Sequence, residues 1–150
     1  MNITKENPRL EQLKKQVEYG INTNYKLETL KDIEIFRIYR DFFLNIKIDP
    51  TKTRPSAEAL IRRVLGNNSL PNINTLVDTY NLASIITGVP LAAFDADIIQ
   101  GNLEARFAEP NEKFYGIGMD KPVDLKDEVI ITDSKKIISI YPYRDSEKTK

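Results

Sequence analysis

The chain has 150 residues and 17.2 kDa, and its 22 basic and 22 acidic residues cancel to a formal charge of zero. It contains no His, Cys or Trp, which excludes Ser-His-Asp and Cys-His nucleophiles, disulfides and the N and S ligands of a typical zinc site. The charged N-terminus lacks the apolar core of a signal peptide, and no apolar run approaches the roughly 20 residues of a membrane span. We therefore expect one cytoplasmic domain without cofactor, metal or membrane association.

The first half of the chain is predicted to be helical. Residues 8–16 form a short amphipathic start, whereas residues 17–21 alternate apolar and polar side chains as in a strand. From Glu28 to Ile46 the apolar side chains recur every three or four residues. This spacing predicts a substantially buried helix.

Two further helices follow in the sequence. One spans residues 55–65, opens with Pro-Ser and stops at the Gly-Asn-Asn turn of residues 66–68. The next has Asn72 or Asn74 as its N-terminal cap and ends at Gly88. Both helices place their apolar residues on one face, so we expect them to pack against a core.

Beyond Pro90 the apolar period changes to two, which is typical of strands. Residues 103–108 alternate as a half-exposed strand. Residues 129–131 and 137–141 are predicted to be two more strands, joined by a hairpin at residues 132–136. A run of helices followed by a run of strands predicts an α+β fold.

Charge is distributed unevenly along the chain. Residues 1–75 carry 13 basic and 9 acidic side chains, and residues 76–150 carry 9 and 13. Between positions 47 and 63 two acids accompany five cations: Lys47, Lys52, Arg54, Arg62 and Arg63. Such a patch either contacts the phosphates of a nucleic acid or is a solvated helix face.

Two short motifs allow a chemical and a structural interpretation. Asp95 and Asp97 lie on one face of an extended segment, where they either bind Mg²⁺ or cap a turn. Residues 116–118 read Gly-Ile-Gly but lack the third glycine and the following Lys-Ser/Thr of a phosphate-binding loop. We interpret them as an ordinary loop.

Polar residues also gather at two places that suit a site. Asp78 and Asn81 are three residues apart, on the same side of their helix, where they either bind a polar ligand or tie the helix to a loop. Residues 141–150 place Tyr, Arg, acidic and hydroxyl groups directly after a strand. That segment is either part of a site or a frayed terminus.

An ordered string of motifs is more specific than any of these features. In chain order it reads Arg54-Pro-Ser-Ala-Glu-Ala-Leu-Ile-Arg-Arg63, Leu70-Pro-Asn-Ile-Asn-Thr-Leu-Val-Asp78, Asn81, Thr87-Gly-Val-Pro90 and Ala93-Phe-Asp95. The string resembles the tRNA-binding and editing module of the phenylalanyl-tRNA synthetase β subunit. This B-three/B-four domain also occurs as free-standing proteins, and the resemblance covers residues 28–150.

The resemblance implies N-terminal helices packed on a mixed, barrel-like β-sheet, in a single domain over residues 1–150. It also implies a pocket in which water hydrolyses tyrosine wrongly attached to the phenylalanine tRNA. The chain is then expected to bind aminoacylated tRNA and to deacylate it in trans, without aminoacylation activity of its own. Two alternatives stay open: a non-catalytic binding module for tRNA or an amino-acid-like ligand, and an inactive truncated remnant.

The family's functional positions fall on particular residues of this chain. Asn81 matches the family's helix asparagine and Glu147 aligns with the editing glutamate, so these two are the catalytic candidates. Tyr80 stands where the family has a pocket threonine, and Ala92 where it has a histidine. The residues expected to bind the substrate are Asn74, Asp78, Tyr80 and Ala92. The residues expected to contact tRNA are Lys52, Arg54, Arg62 and Arg63.

The length of the chain differs from the family's pattern. Family members continue past the Arg-Asp-Ser segment at residues 144–146 through further strands, whereas this chain ends at Lys150. Without those strands a sheet edge or apolar surface would be uncovered. The resemblance therefore predicts either a C-terminally truncated chain or a homo-oligomer in which a second copy supplies the cover.

Overall fold

The computed structural model describes residues 2–149, which divide into two compact units. The helical unit comprises residues 2–43 and 49–92, and the sheet unit comprises residues 44–48 and 93–149. The predicted α+β class is confirmed, because helices precede an antiparallel sheet. The single-domain organisation, the barrel-like closure of the sheet and the cover by a second copy stay predictions.

Four α-helices occur in the described chain: α1 Pro8–Asn24, α2 Glu34–Asn45, α3 Ser56–Leu65 and α4 Thr75–Thr87. Asn7 caps α1, since its side-chain oxygen accepts hydrogen bonds from the backbone N–H groups of Arg9 and Leu10. The strand predicted at residues 17–21 is wrong, because this segment continues α1. Its alternation was misleading, since Val17 and Ile21 are also four residues apart and share one helix face.

The long helix predicted for residues 28–46 is shorter than expected. A 3₁₀ turn at Leu30–Asp32 comes first, Ile33 is extended, and α2 begins only at Glu34. Helices α3 and α4 agree with prediction. Asn74 caps α4, and Gly88 ends it with a φ of 74°, the left-handed geometry that glycine adopts without strain.

The core of the helical unit is formed by apolar side chains from all of its helices. Its buried members are Ile21, Leu30, Phe36, Ala57, Ile61, Val64, Leu70, Leu82 and Ile85. Helix α3 packs against both α1 and α4. The position of α4 is therefore set by burial of Leu82 and Ile85, and the polar Asp78 and Ser84 are buried on the same helix.

The sheet unit contains β1 Glu104–Phe107, β2 Lys113–Phe114, β3 Val123–Asp124, β4 Val129–Thr132, β5 Ile137–Ile140 and β6 Arg144–Asp145. Strands β1, β4, β5 and β6 form one antiparallel sheet in that order, and β2 pairs with β3. The three predicted strands and their hairpin are confirmed as β1, β4 and β5.

A second, smaller core lies in the sheet unit. Phe114, Leu125, Ile130 and Ile140 are its buried members. No helix within residues 2–149 has the length and apolar character needed to cross a membrane.

Candidate functional site

Asn74 and helix α4 carry the first group of expected site residues. The side-chain oxygen of Asn74 accepts hydrogen bonds from the backbone N–H groups of Leu76 and Val77 at 3.0 and 2.9 Å. This cap satisfies two donors that a helix N-terminus otherwise leaves without partners. The cap uses only the oxygen of Asn74, so the amide nitrogen remains a donor.

Asp78 is buried, with 2% of its surface exposed, one turn into α4. One carboxylate oxygen accepts from the ammonium group of Lys14 at 3.0 Å, and the other accepts from the backbone N–H of Ile73 at 3.1 Å. Burial alone would lower the pKa of Lys14, but the hydrogen bonds to Asp78 and Glu11 outweigh it and raise that pKa. Asp78 thus ties α4 to α1 and to the loop that carries Asn74, and its contact with a ligand stays a prediction.

Asn81 follows Asp78 by three residues on α4 and is half-buried. Within residues 2–149, no hydrogen bond engages its side-chain amide, so both its donor and its acceptor are available. The neighbouring Tyr80 is also half-buried. The side chain of Asn81 is therefore held in place by α4 but makes no hydrogen bond within residues 2–149.

The basic segment at residues 52–63 divides into two parts. Glu58 of α3 is completely buried and accepts from the Nε of Arg62 at 2.7 Å and from an Nη of Arg40 at 3.0 Å. Both arginine side chains are largely covered. Glu58 thus holds both arginines in ion pairs within the helical unit, although its single negative charge is shared between them.

The other three cations of this segment are exposed. Arg63 donates from Nε to the backbone carbonyl of Ser69 at 2.6 Å, which leaves its charge uncompensated. For Lys52 and Arg54, no carboxylate of residues 2–149 lies within ion-pair distance. These exposed cations keep the charge that a phosphate contact requires.

The remaining expected site residues lie elsewhere. Ala92 is exposed, in the coil after α4, and belongs to the helical unit. Glu147 is half-buried in the sheet unit, where it opens the 3₁₀ turn Glu147–Thr149, and its backbone N–H donates to the carbonyl of Tyr115 at 3.1 Å. The two catalytic candidates, Asn81 and Glu147, belong to different units, so their joint action stays a prediction.

The motifs with two interpretations have structural roles. One carboxylate oxygen of Asp95 accepts from the backbone N–H of Asp97 at 3.0 Å and caps the 3₁₀ turn Ala96–Ile98. In the described residues 2–149, no group of three or more metal-ligating side chains is close enough to hold an ion. Residues 116–118 form a loop, in which the N–H of Met119 donates to the carbonyl of Gly116.

Sequence reasoning missed two buried charges that position α4 and α3. Lys14 falls in line with Leu10, Val17 and Ile21, on the apolar face of α1, so its position was a detectable signal. Glu58 lies one turn from Ile61 and Arg62 on α3. Charged residues in the apolar stripe of a helix need a partner when buried, and this rule would have identified both.

The chain is similar in sequence to the β subunits of phenylalanine–tRNA ligases. The chain is 32% identical over 90 residues to the phenylalanine–tRNA ligase β subunit of Mycoplasma genitalium, 59% of this chain and 11% of the relative. It is 28% identical over 138 residues to the β subunit of Onion yellows phytoplasma, 79% and 16%. The β subunit of Lactobacillus acidophilus is 37% identical over 97 residues, 63% and 12%. The chain is a module related to an aminoacyl-tRNA synthetase.

A match to a protein-family model identifies the family of this chain. Residues 38–150 match the model of the B3/4 domain, so the chain belongs to the B3/4 domain family. The match spans α2 from residue 38 onwards, all of α3 and α4, and the strands. The aligned stretches cover between 11 and 16% of the three β subunits, so the whole subunits' activity does not transfer with the family.

Proposed function

We propose that this protein is an editing-type module that binds aminoacylated tRNA and hydrolyses mischarged species in trans, in the cytoplasm. The observation that carries the proposal is the B3/4 match over residues 38–150. The relatives are phenylalanine–tRNA ligase β subunits, in which this family occurs. The barrel-like closure of the sheet, and its cover by a second copy, belong to the same proposal.

The proposed pocket is built around the polar residues at the start and in the middle of α4. Asn81 supports it best, because its half-buried amide has no hydrogen-bond partner within residues 2–149 and can hold the amino group of the substrate or the attacking water. Asn74 offers its amide nitrogen at the start of the same helix. Asp78 contributes indirectly, because the hydrogen bond that it accepts from the backbone of Ile73 orders the loop next to Asn74.

The choice of amino acid follows from the chemistry of such a pocket. A site that hydrogen-bonds a phenol hydroxyl leaves its own polar groups unpaired when that hydroxyl is absent, which costs about 1–3 kcal/mol for each group. Tyr80 and Ala92 differ in size and polarity from the threonine and histidine that the family carries. We therefore propose that the amino acid removed is set by Tyr80 and Ala92 and is not restricted to tyrosine.

The proposed tRNA interface uses the exposed cations near α3. Lys52, Arg54 and Arg63 keep their charge at the surface, whereas Arg62 is ion-paired with Glu58. A cation that binds a phosphate releases counterions from the nucleic acid, so removing one such cation should reduce the salt dependence of binding. Arg54 is the sharpest probe, since no hydrogen bond within residues 2–149 engages its side chain.

The decisive experiment measures the loss of the aminoacyl ester. The full chain is incubated with phenylalanine tRNA carrying tyrosine and with tRNAs carrying other non-cognate amino acids. We expect accelerated ester loss, reduced about 100-fold in Asn81→Ala, by analogy with the removal of one oriented hydrogen-bond donor. Asn22→Ala, an exposed asparagine of α1, is the matched control and should keep full activity.

Binding is measured separately from hydrolysis. Arg54→Gln should weaken tRNA binding and lower the slope of log K against log salt by about 0.7–0.9. Arg37→Gln, an exposed arginine of α2, should leave that slope unchanged. Absence of salt-dependent tRNA binding, together with no ester loss for any amino acid tried, would refute the proposed function.

A non-catalytic binding module is the second candidate. It is favoured by Ala92, because an alanine side chain offers no group for proton transfer where the family carries an imidazole. Glu147→Gln separates the two candidates. In an enzyme that uses the carboxylate, this variant loses turnover and keeps its tRNA affinity, whereas a pure binder shows no turnover in either form.

A further inference from the structure

The sheet unit gathers its positive charge around one cleft. By sequence this unit has ten basic and twelve acidic residues, so its net charge is negative. Five of the ten cations nevertheless line a single cleft of about 560 Å³: Arg106, Lys113, Lys135, Lys136 and Lys148. In the described part of the chain only Glu112 and Asp133 supply acidic side chains to its lining.

Both acidic residues use their oxygens elsewhere. Glu112 accepts from the two Nη atoms of Arg106 at 2.7 and 2.8 Å, and from the backbone N–H of Glu109 at 2.6 Å. The hydrogen bonds from Arg106 lead the causes that lower the pKa of Glu112 to about 2. Arg106 and Glu112 neutralise each other, so the carboxylate of Glu112 does not pair with the lysines of the cleft.

Asp133 is also fully engaged. One of its oxygens accepts from the backbone N–H groups of Lys135 and Lys136 at 2.7 and 2.8 Å, and the other accepts from that of Gln100 at 2.9 Å. These bonds close the hairpin between β4 and β5. The carboxylate therefore positions the backbone of the two lysines and forms no ion pair with their ammonium groups.

The lysine ammonium groups are not paired with carboxylates. Within residues 2–149, no ion pair involves Lys135, Lys136 or Lys148, and Lys136 donates to the backbone carbonyl of Ile98 at 2.6 Å. Lys113 pairs with Asp124 at 2.9 Å, but both side chains are about two-thirds exposed, so water weakens the pair. The hydrogen bond from the backbone of Gln100 is the largest cause that lowers the pKa of Asp133, and the charge of Lys136 is a smaller one, so Lys136 and Asp133 interact without forming an ion pair. With five cations and two carboxylates, the lining keeps an excess of positive charge, which raises the local concentration of anions.

We propose that this cleft binds a phosphate group, held by the ammonium groups of Lys135, Lys136 and Lys148. Three separate cationic donors suit a multiply charged anion with several acceptor oxygens better than a single carboxylate. The cleft is larger than phosphate alone and falls in the range of small-molecule sites, and Tyr115 in its lining offers an aromatic surface. The ligand is therefore a phosphate ester of nucleotide size, either free or within an RNA chain. This inference does not depend on deacylation or on the basic segment near α3.

The experiment titrates the full chain with inorganic phosphate, adenosine monophosphate and a single-stranded oligoribonucleotide, by calorimetry. Replacing both Lys135 and Lys148 by Gln should weaken binding about 100-fold, roughly tenfold for each charged hydrogen bond removed. The matched control replaces Lys121 and Lys126 by Gln, which lowers the charge equally outside the cleft. All four lysines are exposed, and an unfolding curve for each variant verifies that the fold is kept.

The outcomes are distinct. Similar affinity for the monophosphate and the oligoribonucleotide, lost only in the Lys135→Gln and Lys148→Gln pair, supports a free phosphate ester as the ligand. Much tighter binding of the oligoribonucleotide, lost in the same pair, supports an RNA chain. No binding of any probe, or equal weakening in the control pair, overturns the proposal. Since tRNA and ester loss are not involved, this failure would leave the deacylation proposal standing.

Discussion

The two units of this protein treat charged side chains in different ways. In the helical unit, Glu58 and Asp78 are 0 and 2% exposed, and each is paired with a cation. In the sheet unit, the side chains of the Lys47–Asp127 pair are 77 and 68% exposed. The buried carboxylate of Asp133 is held there by backbone N–H groups instead of by a cation.

This difference teaches that a basic segment of sequence is not the same as a basic surface. Arg62 belongs to the most basic segment of the chain, yet it is held in an ion pair with the buried Glu58. Lys135 and Lys148 belong to the acidic half, yet they form no ion pair within residues 2–149, where Glu112 and Asp133 use their oxygens elsewhere. Positive charge that is available to a ligand depends on pairing, which the net charge of a segment does not report.

The largest effect is expected from the buried ion pair of the helical unit. Glu58→Gln removes the charge and leaves Arg40 and Arg62 without a carboxylate in a buried place, which should cost about 3 kcal/mol of unfolding free energy. Urea unfolding followed by circular dichroism measures it. Glu28→Gln, an exposed glutamate of the same unit, is the control. Equal losses in both variants would mean that burial of the pair is not what matters.

The second-largest effect is expected from the close packing around Gly116 in the sheet unit. A Cβ atom on Gly116 would lie 2.8 Å from a ring carbon of Phe114 and 2.7 Å from the Cδ of Arg144. Arg144 can move, but Phe114 is 1% exposed in the core, so Gly116→Ala should cost about 2 kcal/mol in thermal unfolding. Adding Arg144→Ala should recover only part of the loss. Full recovery would show that Phe114 yields and that the core is loosely packed at this point.

A smaller effect concerns acid stability. Arg106 lowers the pKa of Glu112 to about 2. The pair therefore contributes to the free energy of unfolding above pH 4.5, the ordinary pKa of Glu112, and this contribution is lost as the pH falls towards 2. Because the pair is partly exposed, we expect only about 1 kcal/mol. Glu112→Gln should remove this part of the pH dependence of unfolding, and the exposed-site control Asp120→Asn should keep it. An unchanged profile in Glu112→Gln would contradict the assignment.

The smallest effect is expected from the exposed pair of the sheet unit. The hydrogen bond from Lys47 lowers the pKa of Asp127, but both side chains are in water. Asp127→Asn should therefore leave the unfolding free energy unchanged within measurement error, in low and in high salt. A salt-dependent loss comparable to that of Glu58→Gln would remove the contrast between the two units.

Local signals predicted the parts of the fold that depend on local geometry. The bounds of α3 and α4 follow from Pro55, Gly66, Asn74 and Gly88, because each of these residues favours a helix end by its own backbone or side chain. The strand expected at residues 17–21 failed, since Val17 and Ile21 also share one helix face, while Tyr19 between them is 75% exposed. Strands β2, β3 and β6 have two residues each, too few to show a period.

The sequence predicted which residues belong to the candidate site but not which contacts their side chains make. Asn81 was identified from its motif and spacing, and the structure adds that its amide is half-buried and unpaired within residues 2–149. From the sequence, Asp78 was expected either to bind a ligand or to contact a loop. In the structure it accepts a hydrogen bond from the backbone of Ile73, which lies in the loop before α4. Such pairings join residues distant in the chain, as with Lys14 and Asp78, so no local pattern specifies them.

The amino-acid sequence alone was sufficient for the α+β class, the family resemblance and the ends of two helices, because periodicity, caps and motif order are local properties. The tertiary structure was needed to learn which charges are free. Arg62 is ion-paired with the buried Glu58, whereas Glu112 and Asp133 use their oxygens elsewhere and leave Lys135 and Lys148 without a carboxylate partner within residues 2–149. The physical reason is that a charge is neutralised by whatever group lies within about 4 Å of it, and folding determines that neighbour.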